Sequence, residues 1–137
     1  MLDVGGGSGA HSIGALLRWP NLQGIVLDRP PVCEVAREYA IQQGLGDRLV
    51  TQVADMWHDP YPAADLHFYG MIFHDWPAEQ CRFLARKSFE HLPAGGQILV
   101  HEMLFNDERT GELETQTRLC LQKYCTCDMI LGRIQLR

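Results

Sequence analysis

The feature that most constrains the fold is the stretch LDVGGGSGAHS at residues 2–12. A short apolar run is followed directly by Gly5, Gly7 and Gly9, and then by a pattern of helical period. Glycine lacks a Cβ, so such a turn can adopt positive φ angles and lets a ligand lie against the backbone. Open α/β sheets bind ligands at this position, beyond the carboxyl ends of the strands. The stretch therefore predicts a strand–turn–helix unit with a ligand at the turn.

Apolar runs and helical patterns alternate along the rest of the chain. The predicted strands cover residues 2–4, 24–28, 48–53, 65–71 and 97–101, and the predicted helices cover 8–18, 77–92 and a segment beginning at 30. Strands that alternate with helices predict a parallel, doubly wound sheet. In the tail the pattern predicts a helix from Glu112 to Tyr124 and no closing strand pair. The fifth strand is therefore predicted to be an open, apolar edge.

Composition narrows the function classes. The 137 residues suit one domain, and the net charge of −5 with no run of Lys or Arg disfavours binding to nucleic acid or to a membrane surface. No apolar stretch approaches the roughly 20 residues that span a bilayer. The five cysteines are odd in number and scattered, which favours the reducing cytoplasm over a disulfide framework. Cys125 and Cys127 lack the spacing and the second ligand pair of a zinc site, so we expect no metal.

The acid at Asp28 indicates what the glycine turn binds. It ends the second predicted strand about 20 residues after the glycines, where a carboxylate can accept hydrogen bonds from both hydroxyls of an adenosine ribose. The spacing of Gly5, Gly7 and Ala10 satisfies the dinucleotide fingerprint, which makes NAD a candidate. S-adenosylmethionine is the other candidate, because its adenosine needs the same acid. The glycine motif alone does not decide between these two ligands.

Further motifs follow the other strands. With Asp3 in front, the glycine turn has the form D-x-G-x-G-x-G, and the later stretches ADMW, FHDWPAEQC and GGQILVHEML follow in order. Together these motifs resemble the S-adenosylmethionine-dependent small-molecule O-methyltransferases. That family includes the plant phenylpropanoid and flavonoid enzymes, the hydroxyindole enzymes and bacterial relatives. The resemblance implies the Rossmann-like, doubly wound parallel sheet of a class I methyltransferase, truncated here at both ends, with S-adenosyl-L-methionine as cofactor.

The resemblance also implies roles for individual residues. His74 matches the family's general base, which takes the proton of a hydroxyl on a small aromatic acceptor, and Glu102 matches the acid that orients it. Seven residues match the family's cofactor-binding positions: Gly5, Gly7, Gly9, Asp28, Arg29, Asp55 and Met56. Asp75 stands just before a proline-initiated helix, where an acid is typical of an N-terminal cap.

The resemblance covers residues 2 to about 105. We therefore expect a methyltransferase core at residues 1–106 and a divergent, partly helical tail at 107–137. The resemblance implies that intact family members are homodimers through an N-terminal region that also completes the acceptor pocket, and we expect that region to be absent from this chain. Two alternatives stay open. One is a non-catalytic fragment that at most binds the cofactor, and the other is an NAD-dependent oxidoreductase, which leaves Asp55–Met56 and His74–Trp76 unexplained.

Overall fold

The computed structural model describes residues 1–102 and the backbone of residues 117–122. Its strands are β1 (Leu2–Val4), β2 (Gly24–Asp28), β3 (Leu49–Val53), β4 (Leu66–Gly70), β5 (Gln97–His101) and β6 (Thr117–Gln122). Its α-helices are α1 (Ala10–Arg18), α2 (Pro30–Gln42) and α3 (Ala78–His91), and a 3₁₀ turn spans Phe73–Asp75. The alternation predicted from the sequence is therefore present up to β5.

The strands form one sheet in the order β3-β2-β1-β4-β5-β6. The strands β1 to β5 pair in parallel, with Asp3 of β1 opposite both Val26 of β2 and Phe68 of β4. The predicted parallel, doubly wound sheet is confirmed. Because β1 lies between β2 and β4, the strand order reverses at β1. Ligands bind at such a switch point, beyond the carboxyl ends of the strands.

The tail prediction is wrong where the structure describes it. Residues 117–122 form β6, which pairs antiparallel with β5, so this part of the predicted helix Glu112–Tyr124 is a strand and the edge of β5 is not open. The free N–H and C=O groups of an edge strand favour pairing with another strand. A helical period in the local sequence cannot predict this pairing, because the pairing depends on tertiary structure. The boundary at residue 106 and the rest of the tail lie outside the described residues.

Helices cover both faces of the sheet. On one face α1 and α2 pack over β2 and β3, and on the other α3 packs over β1, β4 and β5. The first cluster consists of Leu16, Val26, Ala36, Ala40, Leu45 and Leu49. The second includes Leu2, Val4, Tyr69, Leu84, Ala85, Ile98 and Val100. Adjacent residues of a strand point to opposite faces, so Leu2 and Val4 join the second cluster while Asp3 faces α1.

The helix ends are held by local and by distant groups. Two prolines begin α2, where the missing N–H groups cost no hydrogen bond. The C-terminal end of α1 is held by the Arg48 guanidinium, which donates to the carbonyl oxygens of Leu16 (3.0 Å) and Pro20 (2.8 Å). Its Nη1 also lies 3.4 Å and 3.3 Å from the carbonyl oxygens of Trp19 and Leu22. None of the helices in the described part of the chain is long and apolar enough to cross a membrane.

We expect Arg48→Ala to lower the free energy of unfolding by about 1–3 kcal/mol, because it leaves the last carbonyls of α1 without their charged donor. Urea denaturation measures the difference. Arg37→Ala is the control, since Arg37 has an exposed 3.3 Å contact to Thr51 Oγ1 and should change stability by at most about 0.5 kcal/mol. Equal effects of the two substitutions would contradict the assignment of Arg48 to the end of α1.

Candidate active site

Loops that follow neighbouring strands meet at the carboxyl edge of the sheet. The glycine turn follows β1, Asp28 ends β2, and Asp55 and Met56 follow β3. The 3₁₀ turn with His74 follows β4, and Glu102 directly follows β5. The parallel register thus places every residue predicted for the site on this one edge of the sheet.

The glycine turn closes on the carboxylate of Asp28. Gly5, Gly7 and Gly9 have φ angles of 68°, 57° and 76°, a region that favours glycine. The Gly7 N–H donates to Asp28 Oδ2 (2.9 Å), and the Arg29 N–H donates to Oδ1 (2.7 Å). Each oxygen of an ionised carboxylate can accept more than one hydrogen bond, so Asp28 retains capacity for a ribose. A Cβ at Gly7 would meet nothing within 4 Å, which leaves room for a ligand beside the turn.

Asp3 and Gly6 form a contact that sequence reasoning missed. A Cβ on Gly6 would lie 2.6 Å from the carboxyl carbon of Asp3, so the backbone and the acid can approach only because Gly6 has no side chain. Asp3 is buried, and Ser12 Oγ donates to its Oδ2 at 2.6 Å. Burial raises the pKa of Asp3 to about 6. The signal in the sequence was an acid inside an apolar run, two residues before the first glycine.

The loop after β3 lies beside the glycine turn. Asp55 Oδ2 accepts a hydrogen bond from Arg29 Nη1 (3.0 Å), and Oδ1 accepts one from the Trp57 N–H (2.8 Å). The Trp57 N–H is the main cause that lowers the pKa of Asp55. Met56 is partly buried, and its Sδ lies 3.9 Å from the point that a Cβ of Gly5 would occupy. The structure thus brings the predicted cofactor-binding residues together around one turn.

His74 and Glu102 form a hydrogen-bonded pair. Glu102 Oε1 accepts the backbone N–H groups of Ile72 (2.8 Å) and Phe73 (2.7 Å), while Oε2 lies 2.8 Å from His74 Nδ1. The Glu102 side chain is 5% exposed and that of His74 is 45% exposed. A carboxylate accepts hydrogen bonds, so Nδ1 carries the proton and, in the neutral ring, the lone pair is on Nε2. The arrangement orients the imidazole, with Nε2 on the side of the ring away from Glu102.

The prediction that Asp75 caps the third helix is wrong. The N-terminal cap position of α3 is Pro77 and carries no side-chain hydrogen bond. Asp75 belongs to the 3₁₀ turn, and its Oδ1 lies 3.2 Å from His74 Nε2. A carboxylate in this position would stabilise a protonated imidazole. Within residues 1–102, no group of three or more His, Cys, Asp or Glu is placed to hold a metal ion.

Comparison with known proteins identifies the family. Residues 1–130 match the family of O-methyltransferase domains, and the chain belongs to it. It is 37% identical over 115 residues to a 3-hydroxy-5-methyl-1-naphthoate 3-O-methyltransferase from Streptomyces sahachiroi, covering 83% of this chain and 33% of that enzyme.

Solved structures agree with this assignment. An O-methyltransferase family 2 protein from Planctomyces limnophilus in complex with apigenin has a TM-score of 0.76 and 44% identity, over 80% of this chain and 34% of that one. Human N-acetylserotonin methyltransferase in complex with S-adenosylmethionine has a TM-score of 0.72 and 32% identity, over 81% of this chain and 31% of that one. The predicted family, enzyme class and cofactor class are thereby confirmed at the level of the family. The chain spans about one third of the length of these relatives.

Asp3 predicts a distinctive pH dependence of stability. Its pKa in the folded chain is about 6, above the value of 3.8 expected after unfolding, so the folded state binds more protons between these values. The stability that Asp3 contributes is present at low pH and is lost as the pH rises through 6, by at most about 3 kcal/mol. We expect Asp3→Asn to gain stability relative to the wild type between pH 4 and pH 7, measured by urea denaturation.

His67 provides a control of opposite sign. It is buried beside Ser88, and desolvation lowers its pKa from 6.5 to about 4, so the unfolded state binds more protons between these values. The wild type therefore loses stability through His67 as the pH falls through that range. The stability of His67→Gln relative to the wild type should increase over the same range. A stability difference between Asp3→Asn and the wild type that stays constant from pH 4 to pH 7 would contradict the Asp3 assignment.

Proposed function

We propose that this chain is the catalytic core of an O-methyltransferase that moves a methyl group from S-adenosylmethionine to the hydroxyl of a small aromatic molecule. The observation that carries the proposal is the pair of His74 and Glu102, whose Nδ1 and Oε2 lie 2.8 Å apart. This pair lies at the same sheet edge as the glycine turn and Asp28, an acid suited to the ribose of an adenosine. S-adenosylmethionine supplies an already activated methyl group on a sulfonium. The protein's part is then to hold the reactants in line and to remove the hydroxyl proton.

In this proposal His74 is the general base. Glu102 holds Nδ1 protonated, so Nε2 can accept the proton of the acceptor hydroxyl. An imidazole suits the task because its ordinary pKa lies near neutrality, whereas a phenol has a pKa near 10 and needs a base at neutral pH. After the transfer, the imidazolium lies between the carboxylates of Glu102 and Asp75, which stabilise its charge.

The glycine turn and its neighbours are proposed to hold the cofactor. Asp28 would accept the ribose hydroxyls with its remaining lone pairs, and Arg29 lies beside it. Gly5, Gly7 and Gly9 would receive the methionine portion against the backbone, while Asp55 and Met56 would flank the adenine. The open space beside Gly7 and the position of Met56 over Gly5 support this assignment.

The acceptor class is proposed from the relatives. The matched proteins are named for a hydroxynaphthoate and N-acetylserotonin, or were solved with apigenin, and this favours an aromatic hydroxyl compound. Since the chain spans a third of these relatives, turnover by the chain alone is part of the proposal. A cytoplasmic location, a homodimeric intact protein and the absence of nucleic-acid, membrane and metal partners stay predictions from the sequence.

Calorimetric titration of the chain with S-adenosylmethionine, S-adenosylhomocysteine and NAD tests the cofactor assignment. We expect the first two to bind and NAD not to bind, because the chain belongs to the O-methyltransferase family and a similar methyltransferase was solved with S-adenosylmethionine. Asp28→Ala should weaken their binding at least about tenfold, since a ribose acid is lost. Binding of NAD without S-adenosylmethionine would overturn the proposal in favour of an oxidoreductase.

His74→Ala tests the chemistry separately from the cofactor. We expect S-adenosylhomocysteine affinity to be unchanged and methyl transfer to a phenolic acceptor to fall about 10²- to 10⁴-fold, the usual contribution of a general base. Glu90→Gln, an exposed change on α3, is the control and should leave both unchanged. Full turnover by His74→Ala would remove the proposed base. Cofactor binding without turnover by the wild type would favour the non-catalytic fragment.

A further inference from the structure

Lys87 on α3 reaches across to the loop that follows β3. Its Nζ donates to the carbonyl oxygens of Met56 (2.8 Å) and Asp59 (2.7 Å). The same ammonium lies 4.4 Å from the ring centroid of Tyr61, a cation–π contact. Sequence reasoning assigned Lys87 no role, and no part of the chemistry proposed above uses it.

The two carbonyls lie in the segment that carries Asp55 and Met56. This segment is irregular, so its carbonyl groups need partners other than a strand or helix ladder. The Met56 carbonyl also accepts the Tyr61 hydroxyl at 3.1 Å. A charged donor forms a stronger hydrogen bond than a neutral one, so the bond from Lys87 is the stronger of the two that the Met56 carbonyl accepts.

Lys87 is linked to both proposed cofactor residues of the loop. It donates to the Met56 carbonyl, and the Met56 Sδ lies 3.9 Å from the point that a Cβ of Gly5 would occupy. It contacts Asp55 through Asp59, whose carbonyl accepts Lys87 Nζ and whose Oδ2 accepts the Asp55 N–H at 2.8 Å. The loop that carries the residues proposed to flank an adenine is therefore hydrogen-bonded to α3.

We propose that Lys87 is a positioning residue for the cofactor: it holds the loop with Asp55 and Met56 in the position beside the glycine turn that an adenine requires. The inference rests on the proposed function for the identity of the ligand, and the position of the loop can be tested without any ligand. The Lys87 ammonium contacts the Met56 and Asp59 carbonyls and the Tyr61 ring. Its removal should therefore change cofactor affinity and leave the hydrogen-bonded pair of His74 and Glu102 intact.

The test compares Lys87→Met with Arg86→Met. Both substitutions remove one positive charge from adjacent positions of α3, but Arg86 is exposed whereas Lys87 is partly buried against the loop. Calorimetric titration with S-adenosylhomocysteine should show about tenfold weaker binding to Lys87→Met, the effect of losing one charged hydrogen-bond donor, and unchanged binding to Arg86→Met. Lys87→Arg should restore part of the affinity, because a guanidinium can donate to both carbonyls. At saturating S-adenosylmethionine, the turnover number of Lys87→Met should match that of the wild type.

Amide hydrogen exchange provides the readout that needs no ligand. The Asp55 and Trp57 N–H groups are bound by Asp59 and Asp55, and Lys87→Met should speed their exchange while exchange in β4 and β5 stays unchanged. If Lys87→Met does not fold, Tyr61→Phe removes the other donor to Met56 and should weaken binding in the same direction. Equal affinity and equal exchange in Lys87→Met and Arg86→Met would overturn the inference. A wild type that does not bind S-adenosylhomocysteine refutes the proposed function instead, and the exchange data still decide whether Lys87 holds the loop.

Discussion

Carboxylates hold the loops of the candidate site by accepting backbone N–H groups. The Asp28 carboxylate accepts the Gly7 N–H, that of Asp55 accepts the Trp57 N–H, and that of Asp59 accepts the Asp55 N–H. Glu102 accepts both Ile72 and Phe73. These loops leave parallel strands and have no ladder of their own, so their N–H groups need other acceptors. Acids at the strand ends meet this need, and the geometry of the site depends on it.

Several of these acids have a structural and a chemical task at once. Glu102 uses one oxygen for the backbone of the turn after β4 and the other for His74, so the orientation of the base and the shape of the turn are set by one side chain. Met71 begins this turn with a φ of 59°, an uncommon angle for a residue with a side chain, and its N–H donates to the His101 carbonyl. The end of β5 thus supports both the backbone and the base.

Local pattern predicted the elements well where long-range pairing was not the deciding factor. The strands β2 and β5 have the predicted bounds, and His74 and Glu102 meet as the family resemblance implied. The errors are of a different kind. Asp75 turns toward His74 rather than to α3, and residues 117–122 pair with β5 instead of forming a helix. The 3₁₀ turn decided the position of Asp75, and a partner strand distant in sequence decided the structure of residues 117–122.

The sequence by itself determined the alternation of strands and helices, the glycine turn, and the acids and histidine at strand ends, because these depend on residue type and local period. Only the tertiary structure decided that Lys87 contacts the loop after β3 and that β6 covers the edge of β5. The first is a contact between residues 31 positions apart, and the second is a pairing between strands. Both follow from how the sheet and helices pack, and no local pattern in the chain encodes them.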